Sequence, residues 1–335
     1  MEPHDLAVDD LVTTAQLTSL GLDLHAIRVL CRQESLRRLT RGWYAVRAPG
    51  AKHAPWEGGE RWESARLLHS LQARALVRSF GGRAAASHQS AVVLLGGRLW
   101  RSDLGVVHLE RTSDDHSRHR RGAVIHPRYA DRFERVTEGL DLPDGYLVVP
   151  PAVAAVQVGL RSQGAGRPPE PVEALIAAEG FLHDGLVTPE ELTAVIQHFS
   201  GVPGITAVRR LLADAGTKSE SAGETRTALA LRLLGYEFTQ QVDVPVGPTT
   251  YRVDAMLDDA PVIVEFDGRS KYLKDIPDPT AEDIRRALAK EKDRQDQITG
   301  LGYGMARLTW EVVGNLARVR STVEAARRQA RRLAG

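Results

Sequence analysis

Cysteine is nearly absent from this 335-residue chain, Cys31 being its one thiol. A single thiol excludes an intrachain disulfide and a cysteine-based zinc site, and it suits a reducing compartment. Net charge is as scarce: 44 Lys and Arg against 43 Asp and Glu leave +1, so no whole-molecule field draws in a polyanion. No apolar run approaches the ~20 residues that a bilayer span needs, and no membrane partner is expected. The opening MEPHDLAVDD is acidic and lacks the apolar core of a signal peptide. A cytoplasmic protein is the expectation these absences give. No internal repeat is visible.

What is present is length enough for two or three domains with cores of their own. Charge is also unevenly placed. Basic residues cluster at Arg37, Arg38 and Arg41, at Arg118, Arg120 and Arg121, and at Arg327, Arg328, Arg331 and Arg332. Such patches are the electrostatic footprint of nucleic-acid binding, although a single one is more often a solvated surface.

Residues 8–50 read as one compact domain. In TTAQLTSLG, Thr13 or Thr14 caps a short helix and Gly21 stops it. Asp23 caps a second helix, LHAIRVLCRQ, whose Leu24, Ile27, Leu30 and Cys31 recur at helical spacing. Arg28 and Arg32 fall towards another face. LRRLTRGWYAVR then gives two short strands about Thr40-Arg41-Gly42. Helix, turn, helix and basic hairpin is the grammar of a winged helix-turn-helix. Its second helix would enter the major groove, and Arg37, Arg38 and Arg41 would meet phosphate. The plainer alternative is a small helical cap whose arginine hairpin contacts protein.

Residues 57–216 read as a mixed α/β middle domain. Helices are expected in WESARLLHSLQARALVRSF and ASHQSAVVLLGG, and strands in LGVVHLER, GAVIHPR and GYLVVP. His108, His116, His119 and His126 match no standard zinc spacing and have no cysteine beside them, so they read as solvated or core-edge histidines. After Pro150-Pro151 come further helices, broken by the Gly/Pro-rich Ser162–Pro171. One of them starts with Pro189 in its first turn. The polar stretch Lys218–Glu224 reads as a linker.

Residues 219–335 read as a third domain, with a helix through TRTALALRLLGYEF followed by strands in QQVDVPV, TYRVDAML and PVIVEFDG. If Asp258–Pro261 forms a hairpin loop, Leu257 pairs with Val262. Counting outward, Asp254 then pairs with Glu265, side by side on one face. Val253, Ala255, Leu257, Val262, Val264 and Phe266 would line the core face. Two facing carboxylates cost roughly 0.2–1 kcal/mol when exposed and more when desolvated. A divalent cation would relieve that cost, and Mg²⁺ favours one or two protein carboxylates with phosphate and water. The same register sets Arg252 against Asp267 as an ordinary ion pair, whereas the paired strands offer Asp254 and Glu265 no such cation. Glu224 is a third acid at a helix start, where a cap with Ser219 or Ser221 explains it equally well. Lys290, Lys292 and Arg294, among Glu291, Asp293 and Asp296, read as a salt-bridged solvated face. MARLTW is expected as one more strand, ahead of a final basic helix.

Taken together, SESAGETRTALALRLLGYEF, YRVDAML, VIVEFDGRSKY and EKDRQDQITGLGYGMARLTW resemble the very-short-patch-repair-like endonuclease domains of the PD-(D/E)XK superfamily. The N-terminal LVTTAQLTSLGLDLHAIRVLCRQESLRRLTRGWYAVRAP, with ASHQSAVVLLGG, resembles the antitoxin domain of AbiEi-type abortive-infection systems. The resemblance implies an α+β multidomain protein: a winged helix-turn-helix, a mixed α/β middle region and a restriction-endonuclease-like α/β/α domain. It implies that Asp254 and Glu265 hold Mg²⁺ or Mn²⁺ and that Glu224 supports them. Asp267 stands where the motif lysine would fall, Lys271 stands where related domains carry a histidine, and Lys271 or Arg269 would assist or grip the DNA backbone. AAVQVGLRSQGAGRPPE lacks an aspartate and an arginine expected in that stretch. Two functions follow from the resemblance: a metal-dependent DNA endonuclease in defence or repair, or an antitoxin-like transcriptional regulator with an inactive nuclease fold. DNA is the expected partner, with a cognate toxin or a second copy of the chain as further ones.

Overall fold

The computed structural model describes residues 2–113, 118–120, 122–128, 140–141, 146–160, 170–268 and 280–334. Arg269 and Lys271, and with them His116 and Arg121, lie outside the described residues. Of Arg118, His119 and Arg120 only the backbone is described. The chain divides into two compact units, 1–215 and 216–335, and each mixes helices with sheet. The first unit holds the 8–50 segment and the 57–216 segment as far as residue 215. Among the described residues, no helix is long and apolar enough to cross a membrane.

The first unit opens with a three-stranded antiparallel sheet in the order β1-β3-β2, built from Leu11–Thr13 (β1), Leu36–Thr40 (β2) and Trp43–Val46 (β3). Between β1 and β2 lie Thr14–Ser19 (α1) and Leu24–Arg32 (α2). The caps explain their starts. Thr13 Oγ1 accepts the Gln16 N–H (3.2 Å) while the Gln16 side chain accepts the Thr13 N–H (2.8 Å). Asp23 Oδ1 accepts the Ala26 N–H at 2.7 Å. Val12, Leu17, Ile27, Leu36, Tyr44 and Val46 form the small core. Leu24, read as part of that apolar stripe, is 60% exposed, because it is the first residue of α2 and lies beyond the core's edge.

The helix Arg61–Phe80 (α3) leads to a six-stranded mixed sheet, in which Ala84–Ala86 (β4) is followed by His88–Leu94 (α4). The remaining strands are Val107–Arg111 (β5), Arg118–Arg120 (β6), Ala123–His126 (β7), Leu140–Asp141 (β8) and Leu147–Val148 (β9). Their order is β6-β7-β5-β4-β9-β8. Four helices complete the unit: Pro151–Leu160 (α5), Pro171–His183 (α6), Pro189–His198 (α7) and Ile205–Leu212 (α8). Every residue of α5 is buried, the mark of a helix that is apolar all round.

The second unit carries a four-stranded sheet, β10-β11-β12-β13. Its elements in chain order are Ala222–Leu233 (α9), Phe238–Val246 (β10), Thr249–Leu257 (β11), Val262–Phe266 (β12), Ala281–Gly300 (α10), Gly304–Leu308 (β13), Trp310–Val313 (α11) and Leu316–Ala334 (α12). The first three strands form an antiparallel meander, and α10 carries the chain over to β13, which lies parallel to β12. Ala255 pairs with Val264 and Met256 with Ile263, the register that the Asp258–Pro261 connection gives by counting. Residues of α9, α11 and α12 join Ala255, Leu257, Val262, Val264 and Phe266 in one apolar cluster. Ile298 of α10 joins Val244, Val253 and Ile263 in another.

Val253 therefore departs from the expected core face. Strict alternation would keep it with Ala255 and Leu257. Opposite, Gln241 has φ +56° and lies between the paired positions Gln240–Ala255 and Val242–Val253. The left-handed Gln241 interrupts the β10–β11 pairing opposite Asp254 without shifting its register, and cluster membership changes at that level.

Candidate functional site

Three of the acids singled out by the sequence, Asp254, Glu265 and Asp267, converge. Asp254, Glu265, Phe266 and Asp267 line a cleft of about 260 Å³ together with Tyr251, Arg252, Glu291, Arg294 and Arg307. Asp254 sits in β11 at the interrupted pairing, where its Oδ2 accepts the Phe266 N–H at 2.8 Å. That bond takes up the donor of the residue after Glu265 and fixes the Asp254 carboxylate beside β12.

Glu265 has a cationic partner that the paired strands did not disclose. Arg294 Nη2 donates to both of its carboxylate oxygens, at 2.7 and 2.9 Å. The same guanidinium binds Glu291 through Nε (2.9 Å) and Nη2 (3.0 Å), and Arg307 closes the group by bonding Glu291. Arg294 is thus no member of a solvated face. It lies in the wall of the cleft, because α10 crosses over the sheet and brings it back 29 residues later. Burial alone would lower its pKa, but the bonds from Glu291 and Glu265 raise it above the ordinary arginine value. Burial likewise opposes ionisation of Glu291, yet Arg294 and Arg307 hold its carboxyl below the usual range. Both groups carry full charge at neutral pH.

Arg252 also differs from expectation. Its ion pair is with Glu220, at 3.2 Å between two exposed side chains, rather than with Asp267. Asp267 is anchored through its N–H, which donates to the Leu308 carbonyl at 2.9 Å.

Glu224 is buried but does not line the cleft. Its carboxylate accepts from the Glu220 N–H (2.8 Å), the Ser221 hydroxyl (2.7 Å) and the Gln241 side chain (3.0 Å). Ser221 Oγ in turn accepts the Glu224 N–H at 3.2 Å. The cap explanation accounts for all of these except Gln241, which ties Glu224 to the irregular position facing Asp254.

In the first unit, Arg28 and Arg32 on α2, Arg37 and Arg38 on β2, and Arg41 in the turn before β3 are all exposed. Gly42 holds that turn with φ +80°. Arg37 also lies over the Trp56 ring, 5.9 Å from its centroid.

A second polar constellation lies in the core of the first unit. His108 and His126 are not at a solvated edge: they are 3% and 1% exposed, and His88 beside them is 2% exposed. Histidine spacing in the sequence missed this cluster, because His88 sits inside a stretch that reads as plain helix. His69 is nearby in the hydrogen-bond network. Its Nδ1–H donates to the Leu104 carbonyl (2.8 Å), its Nε2 accepts from the Ser90 hydroxyl (2.9 Å), and Ser90 Oγ accepts the His108 N–H (2.8 Å). Burial brings the His69 pKa down to about 4.

Comparison with known proteins adds little. No family model matches the chain, and no curated protein matches it. Among solved structures, the crystal structure of the Rv2827c protein from Mycobacterium tuberculosis overlaps at a TM-score of 0.39 and 20% identity, over 68% of this chain and 78% of that one. A likeness at that level assigns no function.

Proposed function

We propose that the second unit is a metal-dependent DNA endonuclease domain and that residues 8–50 form a winged helix-turn-helix that targets it to DNA. The observation that carries this reading is the convergence of Asp254 of β11, Glu265 of β12 and Asp267 just past its end in one cleft that also holds Arg252, Arg294 and Arg307. Oxygen donors of this kind suit Mg²⁺ or Mn²⁺. The hold of Arg294 on Glu265 leaves room for an ion, since each carboxylate oxygen has a second lone pair. Asp254 and Glu265 would hold the ion, which when bound activates water and polarises the phosphate.

The side chains supply the rest. Arg252, whose ion pair with Glu220 is solvent-exposed, would contact a DNA phosphate through paired N–H donors, while Arg294 and Arg307 hold Glu265 and Glu291 in place. Asp267, in the place of the motif lysine, offers only acceptor oxygens and takes the proton of the attacking water. The Phe266 N–H keeps Asp254 oriented. Glu224 acts at one remove, through Gln241. The exposed arginines of the first unit would bind phosphate, and the single Cys31 suits a cytoplasmic setting.

The two-oxygen hold of Arg294 on Glu265 favours a second reading: a DNA-binding, antitoxin-like regulator whose nuclease fold is inactive, with a cognate toxin as its partner. Incubation of the purified protein with supercoiled plasmid and Mg²⁺ or Mn²⁺, beside EDTA and Glu265→Ala, separates the two. Cleavage that needs both metal and Glu265 supports the nuclease. Intact DNA binding with no cleavage of supercoiled, linear, mismatched or single-stranded substrate leaves the regulator.

A further inference from the structure

We propose that His88, His108 and His126 form a binding site for one first-row transition-metal ion of the Zn²⁺ class in the first unit. Three elements deliver them: His88 opens α4, His108 lies in β5 and His126 ends β7. Their ligand nitrogens all lie within 4.8 Å of one another, the one convergence of three or more His, Cys, Asp or Glu ligands among the described residues. His108 Nδ1 and His126 Nε2 are 2.8 Å apart. Tetrahedral zinc, at Zn–N distances of about 2.0–2.1 Å, sets its ligands about 3.3 Å apart. Small ring movements therefore convert the histidine–histidine contact into a coordination shell.

His88 is held as a metal ligand requires. His88 Nδ1 lies 3.0 Å from Ser87 Oγ, which orients the ring and leaves Nε2 as its ligand atom. His88 itself has φ +51°, a left-handed conformation that non-glycine residues adopt where surrounding structure enforces it. Here the enforcement is visible: the His88 N–H donates to Gln157 Oε1 (3.3 Å), and Gln157 Nε2 donates to Glu110 Oε2 (2.5 Å). Glu110 is the cross-strand partner of His126 and lies two residues beyond His108, so all three share a face of the sheet. Its buried carboxylate stands outside the group of mutually close ligand atoms and offers half the charge balance for a divalent ion. Imidazole donors select zinc and its transition-metal neighbours over Mg²⁺. The site is therefore chemically distinct from the acidic cleft and stands whether or not that cleft cleaves DNA. Deep burial assigns it a structural role, tying α4 to β5 and β7.

The test uses the full chain, stripped with chelator and titrated with Co²⁺ and Zn²⁺. One equivalent of Co²⁺ is expected to give the visible absorption of four-coordinate cobalt, and saturating Zn²⁺ to raise the melting midpoint by about 5 °C or more. Both responses should vanish in His126→Asn and His88→Gln and persist in Asp254→Asn. X-ray absorption on the zinc-loaded wild type should count three imidazoles, a readout that holds even if the variants fail to fold. Failure of the wild type to take up either ion overturns the proposal and leaves a purely hydrogen-bonded histidine cluster. So does a zinc ion with fewer than two imidazoles, or uptake that survives in both folded histidine variants.

Discussion

Arg294 is the residue on which the acidic cleft turns. It satisfies both oxygens of Glu265 and both of Glu291 from a position only 20% exposed. Replacing it with methionine keeps the bulk and removes the charge, leaving two poorly hydrated carboxylates side by side. Arg294→Met is expected to destabilise the second unit by roughly 2–4 kcal/mol, somewhat below the loss of a fully buried partner. Urea melts with and without Mg²⁺ check this. The released carboxylates should bind the cation, so millimolar Mg²⁺ should restore part of the loss in the variant and do less for the wild type. His69 gives a pH signature in the other unit. Folded, its pKa is about 4 against an ordinary 6.5, so below pH 6.5 the unfolded chain takes up a proton that the folded one refuses. Its contribution is complete above pH 6.5 and is lost as the pH falls towards 4, to a total of about 3 kcal/mol. Melting midpoints between pH 7 and 4 should fall less steeply in His69→Gln.

At the scale of elements, close packing of α9 on β12 positions the acids. A Cβ at Gly223 would collide with the Phe266 ring, the residue whose N–H orients Asp254. Gly223→Ala is expected to cost about 3 kcal/mol, at the upper end for overpacking, and to disturb Asp254 at the same time. Denaturation midpoints give the first effect, and loss of Mg²⁺-dependent cleavage the second. The sequence disclosed the β11–β12 pairing because Asp258-Asp259-Ala260-Pro261 is a readable turn and the flanking residues alternate. It did not disclose the change of cluster at Asp254, which coincides with the left-handed backbone of Gln241 in a neighbouring strand. Arg294 was hidden for a similar reason. Glu291 and Arg294 are a visible i, i+3 pair, but only the crossover of α10 brings Glu265 to them. β4, three alanines in a row, has no strand propensity and exists because its neighbours pair with it. The histidine cluster depends on the parallel pairing of β5 with β7, which no local pattern encodes.

At the scale of the molecule, the five exposed arginines proposed to target DNA and the acidic cleft fall in different compact units. Binding should therefore survive loss of the cleft's chemistry. With five exposed arginines on α2, β2 and the turn after it, log Kd should vary with log salt at a slope of magnitude up to about 4.5 if all five meet phosphate. Arg37→Ala with Arg38→Ala should lower that slope by about 2, while Glu265→Ala should leave it unchanged. Fluorescence anisotropy on duplex DNA across a salt series measures both.

The anchoring of α10 is lopsided. Glu291, Arg294 and Ile298 hold its second half, whereas none of residues 282–290 is buried and Leu288 is 54% exposed. One helix should consequently keep two clocks. In hydrogen–deuterium exchange, amides at 285–290 should exchange through openings of only about 1–2 kcal/mol, while those at 294–298 wait for the unit to unfold. A protease should nick the first half long before the second.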